Sequence, residues 1–172
     1  MIPKAILLDR DGTLVKDVPY NKDPKQVIPM PKAIEALEKI RKHKIPTAVV
    51  SNQSGIARGI FTWKDLQAVN DQVEKFLGPL GPWFICPHGE QDSCQCRKPK
   101  PGLILQAANV LGLEPTQMAL IGDIGSDIQA ASAVGSRGIL VPTPATLPQE
   151  ILQAKEVAPN LISAVNLLLQ TK

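Results

Sequence analysis

Five short apolar runs alternate with longer amphipathic stretches along the chain, and this alternation predicts the fold class. The runs end near residues 8, 51, 86, 122 and 141, and runs of this length are typical of buried strands. Strands that alternate with helices predict a three-layer α/β fold, a doubly wound, Rossmann-like parallel sheet with helices on both faces. We expect one such domain over residues 1–172, because a chain of 172 residues suffices for one full core and is short for two.

Proline, capping and glycine signals place the helices between these strands. The first helix is expected from about Pro31 to His43, with apolar Ile34, Leu37 and Ile40 on one face. His43 falls among the cations at the end of this helix, so we expect it in solvent and not as a metal ligand. Further helices are expected at about residues 62–77, 102–112, 125–134 and 161–169, the last in a segment that holds one or two helices.

Composition and charge exclude several classes of function. Aromatic residues make up 3% of the chain, and the basic residues behind a net charge of +3 are scattered, which argues against a nucleic-acid partner. No apolar run approaches bilayer length, and the first residues show no leader-like pattern. We therefore expect a cytoplasmic protein without a membrane partner, and a monomer as the default state.

The first apolar run stops at two aspartates, Asp9 and Asp11, which are followed by Gly12 and Thr13. In open α/β sheets, ligands bind outside the carboxyl ends of the strands. Two carboxylates at such a point repel each other unless a cation or a shared proton relieves the repulsion, so the pair suggests a divalent metal or acid–base chemistry. Taken alone, an Asp-x-Asp-Gly segment is also compatible with an ordinary polar turn at a strand end.

Two later strands also end in polar groups. Ser51 and Asn52 close the second strand, and Asp123 and Asp127 follow the fourth. Because parallel strands end at one edge of a sheet, we expect these side chains to converge with the first aspartate pair. Several carboxylates without a histidine suit Mg²⁺, which at such an edge usually serves a phosphate. The Arg97-Lys98 pair supplies cations for phosphoryl oxygens.

Residues 86–96 contain all three cysteines of the chain. Cys86, His88, Cys94 and Cys96 supply three thiols and one imidazole, a complete tetrahedral set for Zn²⁺. A disulfide is disfavoured in a cytosolic chain and is geometrically awkward between Cys94 and Cys96, which a single residue separates, while unrelated buried thiols remain the alternative. Because the protein would fill all four positions, we expect a structural zinc-binding loop that directs the two following cations toward the phosphate site.

Together these segments resemble the four motifs of the haloacid dehalogenase (HAD) superfamily, in order and each at the expected strand end. The motifs are Asp9-Arg-Asp11-Gly-Thr13, Ser51-Asn52, Lys98 and Gly122-Asp123-x3-Asp127. The segment Gln53-Ser-Gly-Ile-Ala-Arg-Gly59 and the Cys-x-His cluster make the chain similar to the group that contains D,D-heptose 1,7-bisphosphate phosphatase and the histidinol-phosphate phosphatase domain. The resemblance covers roughly residues 4–135. Fewer than fifty residues separate successive motifs up to the third, which leaves no segment for a separate cap domain.

The resemblance implies a role for each matching residue. Asp9 would be the nucleophile that forms an aspartyl-phosphate intermediate, and Asp11 would be the general acid and base. Mg²⁺ would be held by Asp9, the backbone carbonyl of Asp11 and Asp123, with Asp127 orienting the waters of the metal. The groups that would bind the transferring phosphoryl group are those of Ser51, Asn52 and Lys98.

Substrate selection at an uncapped site would fall to the surrounding loops. Residues 15–30 hold three prolines without periodicity and are expected to run over the surface. Arg58 and Arg97 are candidates for contacting a second anionic group, although each could also be an ordinary exposed arginine. Gln53 is a further substrate-binding candidate.

One position departs from the family pattern. Many relatives have lysine directly after the first aspartate of the fourth motif, and this chain has Ile124. Lys98 would then supply most of the positive charge around the phosphoryl group.

The resemblance implies a magnesium-dependent phosphatase, a phosphoric monoester hydrolase, that acts on a small phosphorylated metabolite. The favoured substrate is D-glycero-D-manno-heptose 1,7-bisphosphate, with release of the 7-phosphate. Histidinol phosphate is the alternative substrate. A non-catalytic, zinc-stabilised binding module is the alternative of another class, and it is disfavoured because an idle site has no need for so many like charges.

Overall fold

The computed structural model describes residues 1–170, in which five strands form a parallel sheet. In chain order the strands are β1 (Ala5–Leu8), β2 (Thr47–Asn52), β3 (Trp83–Cys86), β4 (Met118–Gly122) and β5 (Arg137–Leu140). Their order across the sheet is β3-β2-β1-β4-β5, and all four neighbouring pairs are parallel. The predicted parallel α/β architecture is confirmed.

Helices connect these strands in the predicted alternation. They are α1 (Ala33–Lys42), α2 (Trp63–Leu77), α3 (Gly102–Leu111), α4 (Gly125–Ala133), α5 (Pro148–Gln153) and α6 (Leu161–Leu169). Short 3₁₀ turns lie at Pro24–Gln26 and Pro115–Gln117. None of the helices within residues 1–170 combines the length and the apolar composition needed to cross a membrane.

The sheet separates two hydrophobic cores, so that the fold has three layers. The side chains of β1 alternate between them: Ile6 and Leu8 pack with α1, α2 and α6, whereas Ala5 and Leu7 pack with α3 and α4. All four are fully buried. A strand covered on both faces needs an apolar residue at every position, which explains the continuous apolar run in the sequence.

The apolar face of α1 differs from the prediction at one position. Leu37 and Ile40 are buried as expected, but Ile34 is 48% exposed. Ala33 and Ala36 complete the buried face instead. Positions 33, 36, 37 and 40 follow helical spacing, and position 34 lies about 100° away from position 33 around the helix axis. The inclusion of Ile34 was therefore wrong, because a small alanine and not the larger isoleucine faces the sheet.

The central strands β1 and β4 bring the carboxylate-bearing strand ends together. Leu8 pairs with Ile121, and the backbone N–H of Asp9 donates to the carbonyl of Ile121 at 3.0 Å. The chain runs outward from β1 to β3 and then returns to β4 on the other side of β1, so the strand order reverses at this pair. Ligand sites of doubly wound folds lie at such a reversal.

Candidate active site

A cleft of about 340 Å³ opens at the carboxyl edge of the sheet. Its walls come from the ends of β1, β2 and β4, from residues 17–20 of the loop after β1, and from the start of α4. The predicted site residues that line it are Asp9, Asp11, Ser51, Asn52, Gln53, Lys98, Asp123 and Asp127. The parallel sheet thus collects side chains that are far apart in the sequence.

Lys98 is at the centre of the charges in this cleft. Its ammonium group donates to Oδ1 of Asp9 and to Oδ1 of Asp127, each at 2.6 Å, and to the carbonyl of Val50 at 2.8 Å. All three donors of the ammonium are therefore used, and the residue is only 5% exposed. Burial of a lysine is costly without such partners. We call Asp9, Lys98, Asp123 and Asp127 the carboxylate–lysine cluster.

Burial and mutual repulsion raise the pKa of two carboxylates of this cluster, those of Asp9 and Asp123. Burial first, and then the charges of Asp127 and Asp11, raises the pKa of Asp9 to about 7 against the opposing effect of Lys98. Burial and the charge of Asp9 raise the pKa of Asp123 to about 8. For Lys98, burial lowers the pKa, but the carboxylates of Asp127 and Asp9 outweigh it and raise the pKa, which keeps the ammonium charged.

The donor atoms of the cluster fit a divalent cation. Asp9, Asp123 and Asp127 each place one carboxylate oxygen within 4.8 Å of the others. Gly12 has a φ of +82°, and a Cβ at this position would lie 2.1 Å from Oδ2 of Asp123. Only glycine therefore allows the turn after β1 to approach this carboxylate so closely. A set of ligands made up only of carboxylate oxygens is the kind that Mg²⁺ prefers.

Asp11 lies beside the cluster in a separate hydrogen-bond network. Arg10 Nε donates to both oxygens of Asp11, at 3.0 and 3.1 Å, and Arg10 Nη2 donates to Oδ2 at 2.9 Å. Gln53 Nε2 donates to the same Oδ2 at 2.8 Å and to Oγ of Ser51 at 2.9 Å. Gln53, a predicted substrate-binding residue, thus connects the end of β2 to Asp11.

The side chain of Asn52 joins β2 to the segment that carries Lys98. The backbone N–H of Lys98 donates to Asn52 Oδ1 at 3.0 Å, and Asn52 Nδ2 donates to the carbonyl of Lys98 at 3.1 Å. This amide was predicted to bind the phosphoryl group. In the structure both of its ends contact backbone, so it orients Lys98.

The predicted zinc ligands come together at the end of β3 and in the loop that follows it. Cys86 Sγ lies 3.0 Å from Cys96 Sγ and 3.8 Å from Cys94 Sγ, and His88 Nδ1 lies 3.2 Å from Cys96 Sγ. None of these cysteines forms a disulfide. Burial, followed by the hydrogen bond with Cys96, raises the pKa of Cys86 to about 12. We call Cys86, His88, Cys94 and Cys96 the thiol–imidazole cluster; its donors fit zinc, and the identity of the metal stays a prediction.

The two arginines predicted to bind a second anionic group lie outside the walls of the cleft. Arg58 stacks on Tyr20, with 5.8 Å between its guanidinium carbon and the ring centroid. Arg97 donates to the carbonyl of His88 at 3.3 Å and forms an ion pair with Glu90 at 3.5 Å. Tyr20 lines the cleft, so Arg58 is one side chain away from it.

Sequence reasoning missed three residues that support the site. Arg10 binds Asp11 and also donates to Oδ1 of Asn70 on α2, and Thr146 Oγ1 donates to the carbonyl of Asp123 at 2.6 Å. The signal for Asn70 was a polar residue on the apolar face of an amphipathic helix. Arg10 lies inside the first motif and Thr146 in a proline-rich loop. For these two residues, nothing in the sequence pattern indicated a hydrogen-bond partner.

Known proteins resemble this chain over most of its length. It is 36% identical over 148 residues to the D-glycero-beta-D-manno-heptose-1,7-bisphosphate 7-phosphatase of Pseudomonas aeruginosa, and the match covers 83% of each chain. A protein of the same name from Haemophilus influenzae is 37% identical over 142 residues, or 74% of each chain. The HAD-hydrolase-like family model matches residues 95–166.

A solved structure shows the same fold. The D,D-heptose 1,7-bisphosphate phosphatase from B. bronchiseptica, in complex with magnesium and phosphate, superposes with a TM-score of 0.87. The two chains are 30% identical, and the match covers 96% of this chain and 98% of that chain. The structural similarity therefore extends over nearly the whole chain.

Proposed function

Since the chain belongs to the HAD superfamily, in the group of phosphoric monoester hydrolases that contains the heptose bisphosphate phosphatases, we propose that it hydrolyses its substrate through an aspartyl-phosphate on Asp9 with the help of Mg²⁺. The observation that carries this proposal is the carboxylate–lysine cluster. Lys98 binds Asp9 and Asp127 at 2.6 Å each beside the buried Asp123. A binding module without catalysis would gain nothing from this repulsion between carboxylates.

In the first step, a carboxylate oxygen of Asp9 attacks phosphorus, and the bond between phosphorus and the ester oxygen breaks. That oxygen takes the proton of Asp11 and leaves as an alcohol, while Asp9 carries the phosphoryl group. In the second step, a water oxygen attacks phosphorus and gives a proton to the Asp11 carboxylate. The bond between phosphorus and Asp9 breaks, phosphate leaves, and both aspartates return to their starting states.

The chain supplies several groups that hold the phosphoryl group during these steps. Ser51 lines the cleft and offers its hydroxyl, whose oxygen already accepts from Gln53. Lys98 offers its charge, and Asn52 fixes the backbone of Lys98. Mg²⁺ held by Asp9, Asp123, the backbone carbonyl of Asp11 and, directly or through its waters, Asp127 would neutralise negative charge on the phosphoryl oxygens.

The thiol–imidazole cluster has a structural role in this proposal. Zn²⁺ bound by its four residues would close the loop that ends at Cys96, two positions before Lys98. Metal binding of this kind stabilises the folded form of a loop. The loop thereby determines where Lys98 enters the cleft.

The names of the relatives support D-glycero-D-manno-heptose 1,7-bisphosphate as the substrate, with hydrolysis of the 7-phosphate. Arg58 and Arg97 lie outside the walls of the cleft and would contact the second phosphate only after leaving their present partners. Histidinol phosphate, a monophosphate, is favoured by another observation. Among the described residues that line the cleft, both cations, Arg10 and Lys98, are already paired, and Ile124 adds an apolar wall.

A phosphate-release screen over sugar monophosphates, sugar bisphosphates and histidinol phosphate tests the proposal. With Mg²⁺ present, we expect the highest kcat/KM for the heptose 1,7-bisphosphate, and loss of turnover after removal of Mg²⁺ with a chelator that is then restored by Mg²⁺ alone. A higher kcat/KM for histidinol phosphate would replace the substrate but keep the mechanism. Equal turnover with and without Mg²⁺ would contradict the mechanism.

A further inference from the structure

Arg10 is a charged side chain that the mechanism above does not use. It lies between the nucleophile and the proton donor in the sequence, and it is only 1% exposed. Transfer of a guanidinium from water into a protein interior is unfavourable unless well-oriented partners compensate for it. The partners of Arg10 therefore indicate its role.

The guanidinium of Arg10 divides its donors between two residues. Nε and Nη2 bind the carboxylate of Asp11 at 2.9 to 3.1 Å, and Nη1 donates to Oδ1 of Asn70 at 2.9 Å. Because the guanidinium is planar and rigid, an acceptor that fixes one of its nitrogens also fixes the direction of the others. The position of Asn70 thereby helps to determine the orientation of the Asp11 carboxylate.

Asn70 occupies an unusual place for an amide. It is 5% exposed and shares the buried face of α2 with four apolar residues, Leu66, Val69, Val73 and Leu77. A buried amide on such a face is unfavourable unless it is hydrogen-bonded. Its Oδ1 accepts a hydrogen bond from Arg10 Nη1, and Asn70 does not line the cleft. The hydrogen bond from Arg10 therefore gives Asn70 a direct connection to the site.

A second contact holds the same carboxylate from the side of the sheet. Gln53 donates to Asp11 Oδ2 at 2.8 Å. Asp11 is therefore held from one side by the residue that follows β2 and from the other by Arg10, which in turn is bound to Asn70 on α2. We propose that Asn70 is a positioning residue, which orients the carboxyl group of Asp11, the proposed proton donor, by fixing the guanidinium of Arg10. This inference rests on the proposed role of Asp11 as general acid.

Leaving groups of different acidity distinguish positioning from a general loss of structure. An alkyl phosphate needs a proton on its leaving oxygen, whereas 4-nitrophenyl phosphate has an acidic leaving group that needs little help. For Asn70→Leu we expect kcat to fall about 10-fold on a sugar phosphate and less than about 3-fold on 4-nitrophenyl phosphate. Asn70→Asp, which keeps an acceptor for Arg10, should restore most of the sugar phosphate activity.

Gln67→Leu is the matched control, because it removes an exposed amide from the same helix. An equal loss of kcat on both substrates in Asn70→Leu would overturn the proposal. If that variant cannot be purified in folded form, Asn70→Ala gives the same ratio with less steric change.

Asp11→Asn, measured on the same two substrates, distinguishes the general-acid role of Asp11 from the positioning role of Asn70. A loss that is selective for the sugar phosphate in Asp11→Asn but absent in the Asn70 variants overturns the positioning role alone. If Asp11→Asn itself shows no selective loss, the general-acid role fails, and the role of Asn70 fails with it.

Discussion

The two clusters that can hold metal ions are built in opposite ways. The carboxylate–lysine cluster takes its members from the ends of β1 and β4, from α4 and from the segment before α3, so it exists only when the sheet has formed. The thiol–imidazole cluster takes all four members from residues 86–96. The first depends on the topology of the sheet, whereas the second is local in sequence, from the end of β3 through the loop that follows it. Lys98 links the two clusters, because it follows the thiol–imidazole cluster by two positions in the sequence and binds Asp9 and Asp127 of the carboxylate–lysine cluster.

The largest effect is expected from Asp9→Asn in the carboxylate–lysine cluster. The variant keeps the size of the side chain but removes the proposed nucleophile, so we expect phosphatase activity to fall by more than about 10³-fold while the fold is retained. Phosphate release at saturating Mg²⁺ and a thermal melt measure the two properties. Asp71→Asn on the exposed side of α2 is the control for the change of charge. Activity close to that of the unmodified protein would end the assignment of the nucleophile.

Loss of the thiol–imidazole cluster should have a smaller effect, because it displaces Lys98 without removing it. We expect Cys94→Ser to lower the zinc content and to reduce kcat by about 10-fold to 100-fold, since the loop no longer holds the segment that leads to Lys98. Metal analysis of the purified protein and a kinetic assay check both expectations. Gln95→Ala changes an exposed side chain in the same loop and should leave both values unaltered. Full activity in a zinc-free variant would show that the two clusters are independent.

Asn52→Ala examines the link between β2 and Lys98 directly. Loss of its two hydrogen bonds to the Lys98 backbone should reduce kcat/KM by about 10-fold, with an unchanged zinc content. A steady-state assay combined with metal analysis measures this. If zinc is lost together with activity, Asn52 supports the loop as a whole and not the placement of Lys98.

The smallest expected effect is the dependence of magnesium binding on pH. In the metal-free protein the pKa of Asp9 is raised to about 7 and that of Asp123 to about 8, from 3.8 for each. The two protonated carboxyls therefore contribute their full share to the free energy of unfolding below pH 3.8, the pKa of each group in the unfolded chain. This contribution is lost as the pH rises through 7 and 8. Since Mg²⁺ displaces these protons, its stabilising effect should grow over the same range.

We expect the rise in Tm on addition of Mg²⁺ to be a few degrees larger at pH 8.5 than at pH 6. Thermal melts in matched buffers measure it. Asp123→Asn should reduce the difference between the two pH values, and a constant shift in the unmodified protein would contradict the proposed coupling of protons and metal.

The two clusters also differ in how far the sequence could predict them. Cys86 to Cys96 could be recognised without any fold, because ligand chemistry and short spacing suffice. Asp9 and Asp123 could be placed together because all parallel strands end at one edge. The partners of Asn52, Gln53 and Arg10 could not be predicted, since hydrogen bonds between distant segments depend on side-chain directions that spacing does not encode.

The charge balance of the carboxylate–lysine cluster has a consequence for the order of events in solution. Above about pH 8, where Asp9 and Asp123 have lost their protons, three carboxylates outnumber one ammonium by two, and a site without a cation repels an incoming phosphate ester. The divalent cation should therefore bind first and the anion second, as an ordered kinetic mechanism. Under such a mechanism, excess free phosphate ester that complexes the cation in solution would act as an inhibitor of its own turnover.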